Sequence, residues 1–568
     1  MYDLVIRNGK VIDGGGGAAY HADLAVQDGK IAEIGPAIGA GRREIDAEGL
    51  LVTPGWVDVH THYDAQASWD PYLTPSSWHG VTTAVMGNCG VGFAPAAPDR
   101  HEWLIALMEG VEDIPGAALT EGIKWGWESF PEYLDVLEKM PRALDIGAQV
   151  PHGALRAYVM GDRGARNEAA TTADIEAMAA LVAEGIRAGA LGFSTSRTEI
   201  HKSTDGEYVP GTFAARDELF GLGRAIKAGG WGVFQMTTNH RDMPQEFEWM
   251  DTLSREIELP VTFNLVQIDP APQLWEQMLQ RLDQADNPYL RAQVAGRPAG
   301  VLMHLDGTAH PFLFYPVYQE IVGLPFQERL VRLRDPEFRV RLLADTPIQR
   351  NEFETFITAG YHKMFRLGDP PDYEPAPETS AAAVAQASGK RPAEVALDWL
   401  LEDEGQGIIY FPFFNYTAGH MDPVRQMLLH PRATISLGDG GAHCGVICDS
   451  SIPTFMLTYW SRDRVRGPRL PLEAAIYGQT LATARLYGLQ DRGWLKPGYK
   501  ADINLIDYEH LTLPAPRMVY DLPAKGRRLI QKASGYRATI VSGEVILENG
   551  EPTGTLPGKL LRGPQRAP

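Results

Sequence analysis

The sequence predicts an α/β protein, a (β/α)₈ TIM-like barrel with a small β-sandwich domain built from both termini. Between residues 55 and 489, short apolar segments alternate with helical segments, which is typical of a parallel sheet with crossover helices. At both ends of the chain, brief strand-like segments are separated by turns that contain glycine. A length of 568 residues exceeds what one ordinary core needs, so a barrel with a second unit accounts for it.

The two terminal segments, 1–54 and 490–568, are predicted to form the sandwich together, because neither is long enough to bury a core alone. Turn pairs such as Asn8-Gly9, Asp28-Gly29 and Ser542-Gly543 separate their strands. The predicted strands are 3–8, 10–13, 23–27, 30–34, 501–506, 537–542 and 544–548.

The segment from 55 to 489 is predicted to be the barrel with helical insertions, the largest of them at 328–387. Predicted strands are 56–59, 80–86, 144–150, 191–193, 232–236, 260–266, 289–294 and 433–437. Predicted helices are 172–188, 216–228, 246–258, 275–285 and 471–486. Catalytic groups of such barrels project from the carboxyl ends of the strands, so these ends are the positions to inspect.

Composition excludes several classes of partner. A net charge of −20 and a pI of about 5.2 argue against binding nucleic acid or an anionic membrane. The apolar segments are shorter than the ~20 residues that span a bilayer, and because the first residues read as a strand we expect no signal peptide. Three cysteines do not make a disulfide framework, so we expect a cytoplasmic location. The oligomeric state stays open, a homo-oligomer included.

Two histidines, His60 and His62, follow the first predicted barrel strand. Side chains two residues apart on a strand point to the same side, so both imidazoles can reach one point. Imidazole is a common zinc ligand, and the pattern favours a metal site. The alternative is a partly buried pair that only makes hydrogen bonds to loops.

Two further residues follow other predicted strands. Cys89, within Gly87-Asn88-Cys89-Gly90, follows the second strand, where a thiolate can bind zinc. Asp439 follows the last strand, where a carboxylate can act as a general base toward an activated water. A buried free thiol and an ordinary Asp-Gly turn are the structural alternatives.

The motifs together resemble the N-acyl-D-amino-acid deacylase (D-aminoacylase) family of the amidohydrolase superfamily. Gly-Asn-Cys-Gly is the most specific of them, since hydantoinases and dihydroorotases use a carboxylated lysine as bridging ligand. The matching segments are YDLVIRNGKVIDG, TPGWVDVHTHYD, GVTTAVMGNCGVGFAP, GALGFSTSR, SLGDGGAH and LKPGYKADINLIDYE.

The resemblance implies metal ligands at His60, His62 and Cys89, a general acid/base at Asp439, and one or two Zn²⁺ ions. The family also takes one histidine from each of two later strands, and this sequence departs there. An ungapped match puts Thr237 at the first of these positions, and His240, the only histidine close by, is the candidate metal ligand in its place if the loop is longer here. The second falls near Asn264, a weak ligand or substrate contact. With fewer histidine ligands than the family has, one bound ion is favoured over two.

Four other residues are candidate substrate contacts. Arg197 is suited to grip a carboxylate, and Tyr208 follows it in the same loop. His152 follows the third strand, and His443 lies four residues past Asp439. For each, packing or a structural hydrogen bond is the alternative.

We therefore expect hydrolysis of a small-molecule amide, an N-acyl-D-amino acid or a related N-acyl compound, by metal-activated water. One alternative is a hydrolase of cyclic or xenobiotic amides on the same scaffold. A second is a barrel that binds a small molecule without catalysis.

Overall fold

The barrel predicted from the sequence is present. The computed structural model describes residues 1–436 and 438–568, leaving aside the side chains at 352 and 353. Within these residues, eight parallel strands pair in chain order. They are Trp56–Asp58, Val81–Met86, Asp145–Pro151, Gly192–Ser196, Val233–Thr237, Val261–Asn264, Leu290–Ala295 and Ala433–Ser436. Leu437, predicted to end the last strand, lies outside the described residues.

The barrel closes through backbone hydrogen bonds just beyond its first and eighth strands. The His62 amide donates to the Gly440 carbonyl at 2.8 Å, and the Asp439 amide donates to the His60 carbonyl at 3.0 Å. Closure therefore sets the two histidines beside Asp439 at the carboxyl ends of the strands.

Helices cover the outside of the barrel, and most begin and end within a few residues of the prediction. Those that follow the barrel strands are His152–Met160, Thr172–Ala188, Arg216–Gly229, Met243–Ile257, Leu274–Ala285 and Asp422–Leu429. The single helix predicted at 471–486 is wrong. Thr480, with φ −125° and ψ −91°, breaks it into Leu472–Gln479 and Leu481–Leu486.

Two long excursions leave the barrel. The first follows the second strand and contains the helices His101–Glu112, Gly116–Gly122 and Phe130–Lys139. The second joins the seventh and eighth strands and has its own apolar core, with buried Leu333 and Phe411. It includes the strands Gly300–Met303, Phe365–Arg366 and Ile409–Pro412, and the helices Phe326–Arg334, Pro336–Ala344, Glu352–Ala359, Ala381–Ser388 and Pro392–Leu400. The insertion predicted at 328–387 lies inside it.

Strands from both termini share one sheet. In it, Leu51–Pro54 pairs antiparallel with Ile503–Ile506. The other members are Tyr2–Val11, Tyr20–Gln27, Lys30–Gly35, Gly41–Asp46, Tyr536–Val541, Glu544–Glu548 and Glu551–Pro552. The turn predicted at Asn8-Gly9 is wrong, because Asn8, at φ 58°, sits in an irregularity inside a continuous strand. The division of the chain at residues 54 and 490 remains a prediction.

The C-terminal segment also contacts the barrel at both ends. A hairpin, Arg517–Leu522 and Gly526–Ile530, reaches the end of the barrel where the carboxyl ends of its strands lie, here called the mouth. There the Leu529 amide donates to the Cys444 carbonyl at 2.6 Å. The last residues run along the opposite end, where the Ile146 amide donates to the Lys559 carbonyl at 3.0 Å. No helix among the described residues combines the length and apolar character needed to cross a membrane.

Candidate metal centre

His60 and His62 lie on the segment that continues the first barrel strand beyond Asp58. The His60 amide donates to Oδ1 of Asp58 at 3.0 Å, and the Thr61 hydroxyl donates to the Val85 carbonyl at 2.8 Å. Both imidazoles are 1% exposed. The extended backbone between them directs both rings to the same side, as alternation along a strand requires.

Cys89 reaches the same point through a tight turn after the second strand. Gly87, Cys89 and Gly90 have positive φ angles of 78°, 56° and 71°. A Cβ on Gly87 would lie 2.5 Å from the Gln149 carbonyl oxygen, so only glycine fits there. The turn puts Sγ of Cys89 3.2 Å from Nε2 of His60 and 3.8 Å from Nε2 of His62.

The donor set fits a metal ion of the zinc type. The two Nε2 atoms and Sγ lie within 4.8 Å of one another, and all three residues are buried. Oδ1 of Asp439 is 3.5 Å from Nε2 of His60 and 3.6 Å from Nε2 of His62. Ligands about 2.0–2.3 Å from a tetrahedral zinc ion are separated by roughly 3.3–3.8 Å. These separations match that geometry.

The electrostatics of the group favour the Cys89 thiolate, whereas both imidazoles keep their protons until a metal ion displaces them. Burial by itself raises the pKa of Cys89, but the imidazoles of His60 and His62 outweigh it and lower the pKa to about 7. Burial likewise lowers the pKa of His60, and the Cys89 sulfur and Asp439 raise it to about 9. The thiolate is the form of cysteine that binds metals, and here it is favoured near neutral pH.

The ring nitrogens that face away from the group have different partners. Nδ1 of His60 donates to Oε1 of Gln293 at 3.0 Å, and this oxygen also accepts from the Ser436 hydroxyl at 3.0 Å. Nδ1 of His62 lies 3.2 Å from Oε1 of Glu112, a fully buried carboxylate. An acceptor at Nδ1 fixes the proton there and leaves Nε2 free to bind an ion.

Comparison with known proteins identifies the family. A family model described as "Amidohydrolase family" matches residues 43–547. This chain belongs to the amidohydrolase family. A D-aminoacylase of Alcaligenes xylosoxydans xylosoxydans is 27% identical over 567 residues, covering 99% of this chain and 97% of the relative. An N-acyl-D-aspartate deacylase of the same organism is 28% identical, covering 98% and 95%.

Solved structures agree on the fold. A crystal structure of a D-aminoacylase has a TM-score of 0.65 at 24% identity and covers 99% of this chain and 100% of that one. An N-acyl-D-glutamate deacylase from Bordetella bronchiseptica, complexed with zinc and a phosphonate inhibitor, has a TM-score of 0.65 at 23% identity, with the same coverage. The predicted resemblance to the N-acyl-D-amino-acid deacylases is confirmed along nearly the whole chain.

This amidohydrolase places a hydroxyl and an amide at the ends of its fifth and sixth strands. The Thr237 hydroxyl donates to Sγ of Cys89 at 3.1 Å. Asn264 is 7% exposed, and its Oδ1 has no hydrogen-bond partner in the part of the chain that the structure describes. His240 lies outside the group of three candidate ligands, with Nδ1 2.9 Å from the Thr238 hydroxyl and its ring against Phe414.

The candidate substrate residues divide into two sets. His443 lies at the mouth, where its Nε2 is 3.5 Å from Oε2 of Glu112. The others have structural partners. Arg197 donates to the Ala214 carbonyl at 2.9 Å and pairs with Glu246 at 3.4 Å.

His152 and Tyr208 belong to that second set. His152 is fully buried between the Thr195 hydroxyl at 2.8 Å and Oε1 of Glu218 at 2.9 Å. Tyr208 lies under the Lys202 ammonium, 4.5 Å from its ring centre. Their roles toward a substrate remain predictions.

Glutamines beneath the ligands were not predicted. Gln149, Gln235 and Gln293 come from the third, fifth and seventh strands and are all buried. Gln235 accepts from the Cys89 amide at 3.0 Å, and Gln149 donates to Oδ1 of Asn88 at 2.9 Å. Alternate strands contribute one interior layer of a barrel, and here that layer is polar and supports the ligand segments. A polar residue inside an otherwise apolar strand was the available signal.

His201 and Glu112 were also missed. Nδ1 of His201 lies 3.2 Å from the Ser196 hydroxyl. Desolvation lowers the pKa of His201 to about 3, with smaller contributions from His443 and His62, which places its ring near the mouth. His201 lies in the loop after the fourth strand and Glu112 in the excursion after the second, where the strand pattern gives no indication of which side chains return to the centre.

Proposed function

We propose that this chain hydrolyses the amide bond of N-acyl-D-amino acids or related N-acyl compounds. The observation that carries the proposal is the convergence of His60, His62 and Cys89 on one point beside Asp439. The reaction yields a carboxylic acid and an amine. The names of the full-length relatives support the substrate class.

We propose one zinc ion, held by His60, His62 and Cys89. Two imidazoles and a thiolate form a borderline-soft donor set that suits zinc. Thr237 and Asn264 offer no imidazole where the family takes histidines, which favours one ion over two. When bound, such an ion supplies Lewis-acid polarisation of the acyl carbonyl and makes a water molecule more acidic.

Asp439 is the proposed general acid/base. Although burial raises its pKa, hydrogen bonding to His62 and the charge of His60 hold the pKa well below the usual range. The carboxylate is therefore ionised and accepts a proton from the attacking water. It then delivers that proton to the departing nitrogen, so that the amine leaves neutral and the carboxylate is restored.

The backbone holds Asp439 in place for both transfers. Its amide donates to the His60 carbonyl at 3.0 Å, and its φ of 44° turns the chain sharply after the eighth strand. The side chain is 19% exposed, so it faces both the ligands and the mouth. A substrate entering the mouth would meet the acid/base beside the ligand group.

The test is a substrate panel with the purified protein. N-acetyl-D-amino acids, their L-enantiomers and a cyclic amide such as a hydantoin are incubated with zinc-loaded protein, and amine or acid release is measured. We expect turnover of the D-substrates, and a fall of about 10³–10⁴-fold in kcat/KM after Asp439→Asn. Absence of turnover with every amide, despite bound zinc, would contradict the proposal and favour a binding protein.

A cyclic or xenobiotic amide is the second candidate substrate. The replacement of two family histidines by Thr237 and Asn264 favours it, since these residues change the part of the site at the ends of the fifth and sixth strands. Faster turnover of the cyclic amide than of N-acetyl-D-amino acids would establish it.

We also propose a cytoplasmic location. Cys89, Cys444 and Cys448 are all free and buried, and burial raises the pKa of both Cys444 and Cys448 to about 12. Reduced thiols are the norm in the cytoplasm. Fractionation of cells that express the native chain tests this location.

A further inference from the structure

Glu112 is a buried carboxylate that the catalytic proposal does not use. It ends the helix His101–Glu112, in the excursion between the second and third barrel strands, and is 1% exposed. Its Oε1 lies 3.2 Å from Nδ1 of His62, and its Oε2 lies 3.5 Å from Nε2 of His443. A carboxylate so buried requires partners, and these two imidazoles are placed to serve as such.

Oε1 of Glu112 and Nδ1 of His62 form a buried contact, with the two atoms 3.2 Å apart. Within the described residues, neither of these buried atoms makes a well-aligned hydrogen bond, to the other or to any further group, and the 3.2 Å ion-pair contact between them is what links them. His60 differs, because its Nδ1 faces the neutral amide of Gln293. The proposed ligand His62 is thus paired with the negative charge of Glu112, whereas His60 is paired with the amide dipole of Gln293.

We infer that Glu112 is a positioning residue of the metal centre, acting through His62. Glu112 keeps the proton of His62 on Nδ1, so the lone pair of Nε2 is free to bind the metal ion. Its negative charge also makes the imidazole a stronger electron-pair donor to that ion. The inference rests on the proposed metal site and adds to it a residue outside the strand ends.

The same helix end also holds the loop that carries the acid/base. The His443 amide donates to the Glu112 carbonyl. Oδ2 of the next residue, Asp113, accepts from the Gly445 amide at 2.9 Å and from the Thr308 hydroxyl at 2.9 Å. Glu112 and Asp113 therefore tie His62 and the loop after Asp439 to one rigid point.

The competing explanation is that Glu112 only balances charge for His443. It predicts that His443→Asn weakens zinc binding as much as a change at Glu112 does. Our inference predicts that His443→Asn leaves zinc affinity within about twofold of the parent, because His62 keeps its carboxylate.

The experiment measures zinc affinity by competition with a chromophoric chelator at constant pH. Glu112→Gln keeps the shape and one acceptor but loses the charge, and Glu112→Ala loses both. Loss of such a partner costs about 10–100-fold in metal affinity, so we expect roughly tenfold for Gln and up to a hundredfold for Ala. Glu102→Gln, an exposed change on the same helix, should match the parent.

Each outcome decides a separate point. An unchanged zinc affinity in Glu112→Gln and Glu112→Ala, with a zinc-binding parent, overturns the inference and leaves the proposed function intact. A parent that binds no zinc overturns both. If Glu112→Ala fails to fold, as judged by unfolding of the metal-free protein, the isosteric Gln variant decides alone.

Discussion

We expect Asp439→Asn to reduce turnover strongly, although asparagine has almost the same shape as aspartate. Oδ1 of Asp439 lies 3.5 Å from Nε2 of His60 and 3.6 Å from Nε2 of His62, which together keep the carboxyl ionised. An amide of the same size cannot accept the proton of water or deliver one to nitrogen. General acid/base catalysis contributes about 10²–10⁴-fold, or roughly 3–5.5 kcal/mol of barrier.

Because the proposed mechanism uses Asp439 in both proton transfers, we expect kcat/KM to fall by about 10³–10⁴-fold. The assay is amine release from an N-acetyl-D-amino acid by protein with measured zinc content. Zinc should remain bound, since the three ligands are untouched. Asp205→Asn, an exposed change in the loop after the fourth strand, is the matched control. A loss of less than tenfold at full zinc occupancy would refute the role of Asp439.

Four further predictions concern metal and stability. Cys89→Ala should purify with less than about a tenth of the parent's zinc, as measured by elemental analysis, because the thiolate is lost. A strong chelator should abolish turnover and added zinc should restore it; activity that survives chelation would contradict a metal mechanism. The Thr237→His, Asn264→His double variant should raise bound zinc from one ion per chain toward two. Asp145→Asn should lower the free energy of unfolding in urea by about 2–3 kcal/mol at pH 7, because it removes the charge that pairs with Arg492 and Lys500 and leaves Arg492 with Asp491 alone among the described anions.

The Asp145 prediction also has a pH signature. Burial raises the pKa of Asp145, but Lys500 and Arg492 outweigh it and lower the pKa from its ordinary 3.8 to about 2. Its stabilisation is therefore fully present above pH 3.8 and is lost as the pH falls toward 2. The difference in unfolding free energy between parent and variant should shrink over that range. A difference that holds constant down to pH 2 would show that the carboxylate charge is not responsible.

The sequence was sufficient for features set by short-range pattern. The barrel strands, the position of His60 and His62 beyond one strand, and of Cys89 and Asp439 beyond two others, all follow from local alternation and from the rule on strand ends. These four residues meet because parallel strands in a closed barrel present their carboxyl ends at one rim. Their chemical roles remain predictions.

Features that depend on long-range packing were not predictable. Glu112 reaches His62 only because its helix folds back over the mouth, and nothing in the helix pattern marks that face. The hairpin at Arg517–Leu522 is largely exposed and carries no clear alternation of apolar residues, so it was missed. At Asn8-Gly9 the local turn signal was real, but pairing with Tyr20–Gln27 continues past it, so the sheet absorbs the residue as an irregularity.

The most direct test is anomalous X-ray diffraction at the zinc edge from crystals grown with zinc. We expect one strong peak, bonded to Nε2 of His60, Nε2 of His62 and Sγ of Cys89 at about 2.0–2.3 Å. A crystal with no anomalous peak within bonding distance of these three atoms, or with its zinc bound elsewhere in the chain, would contradict the account.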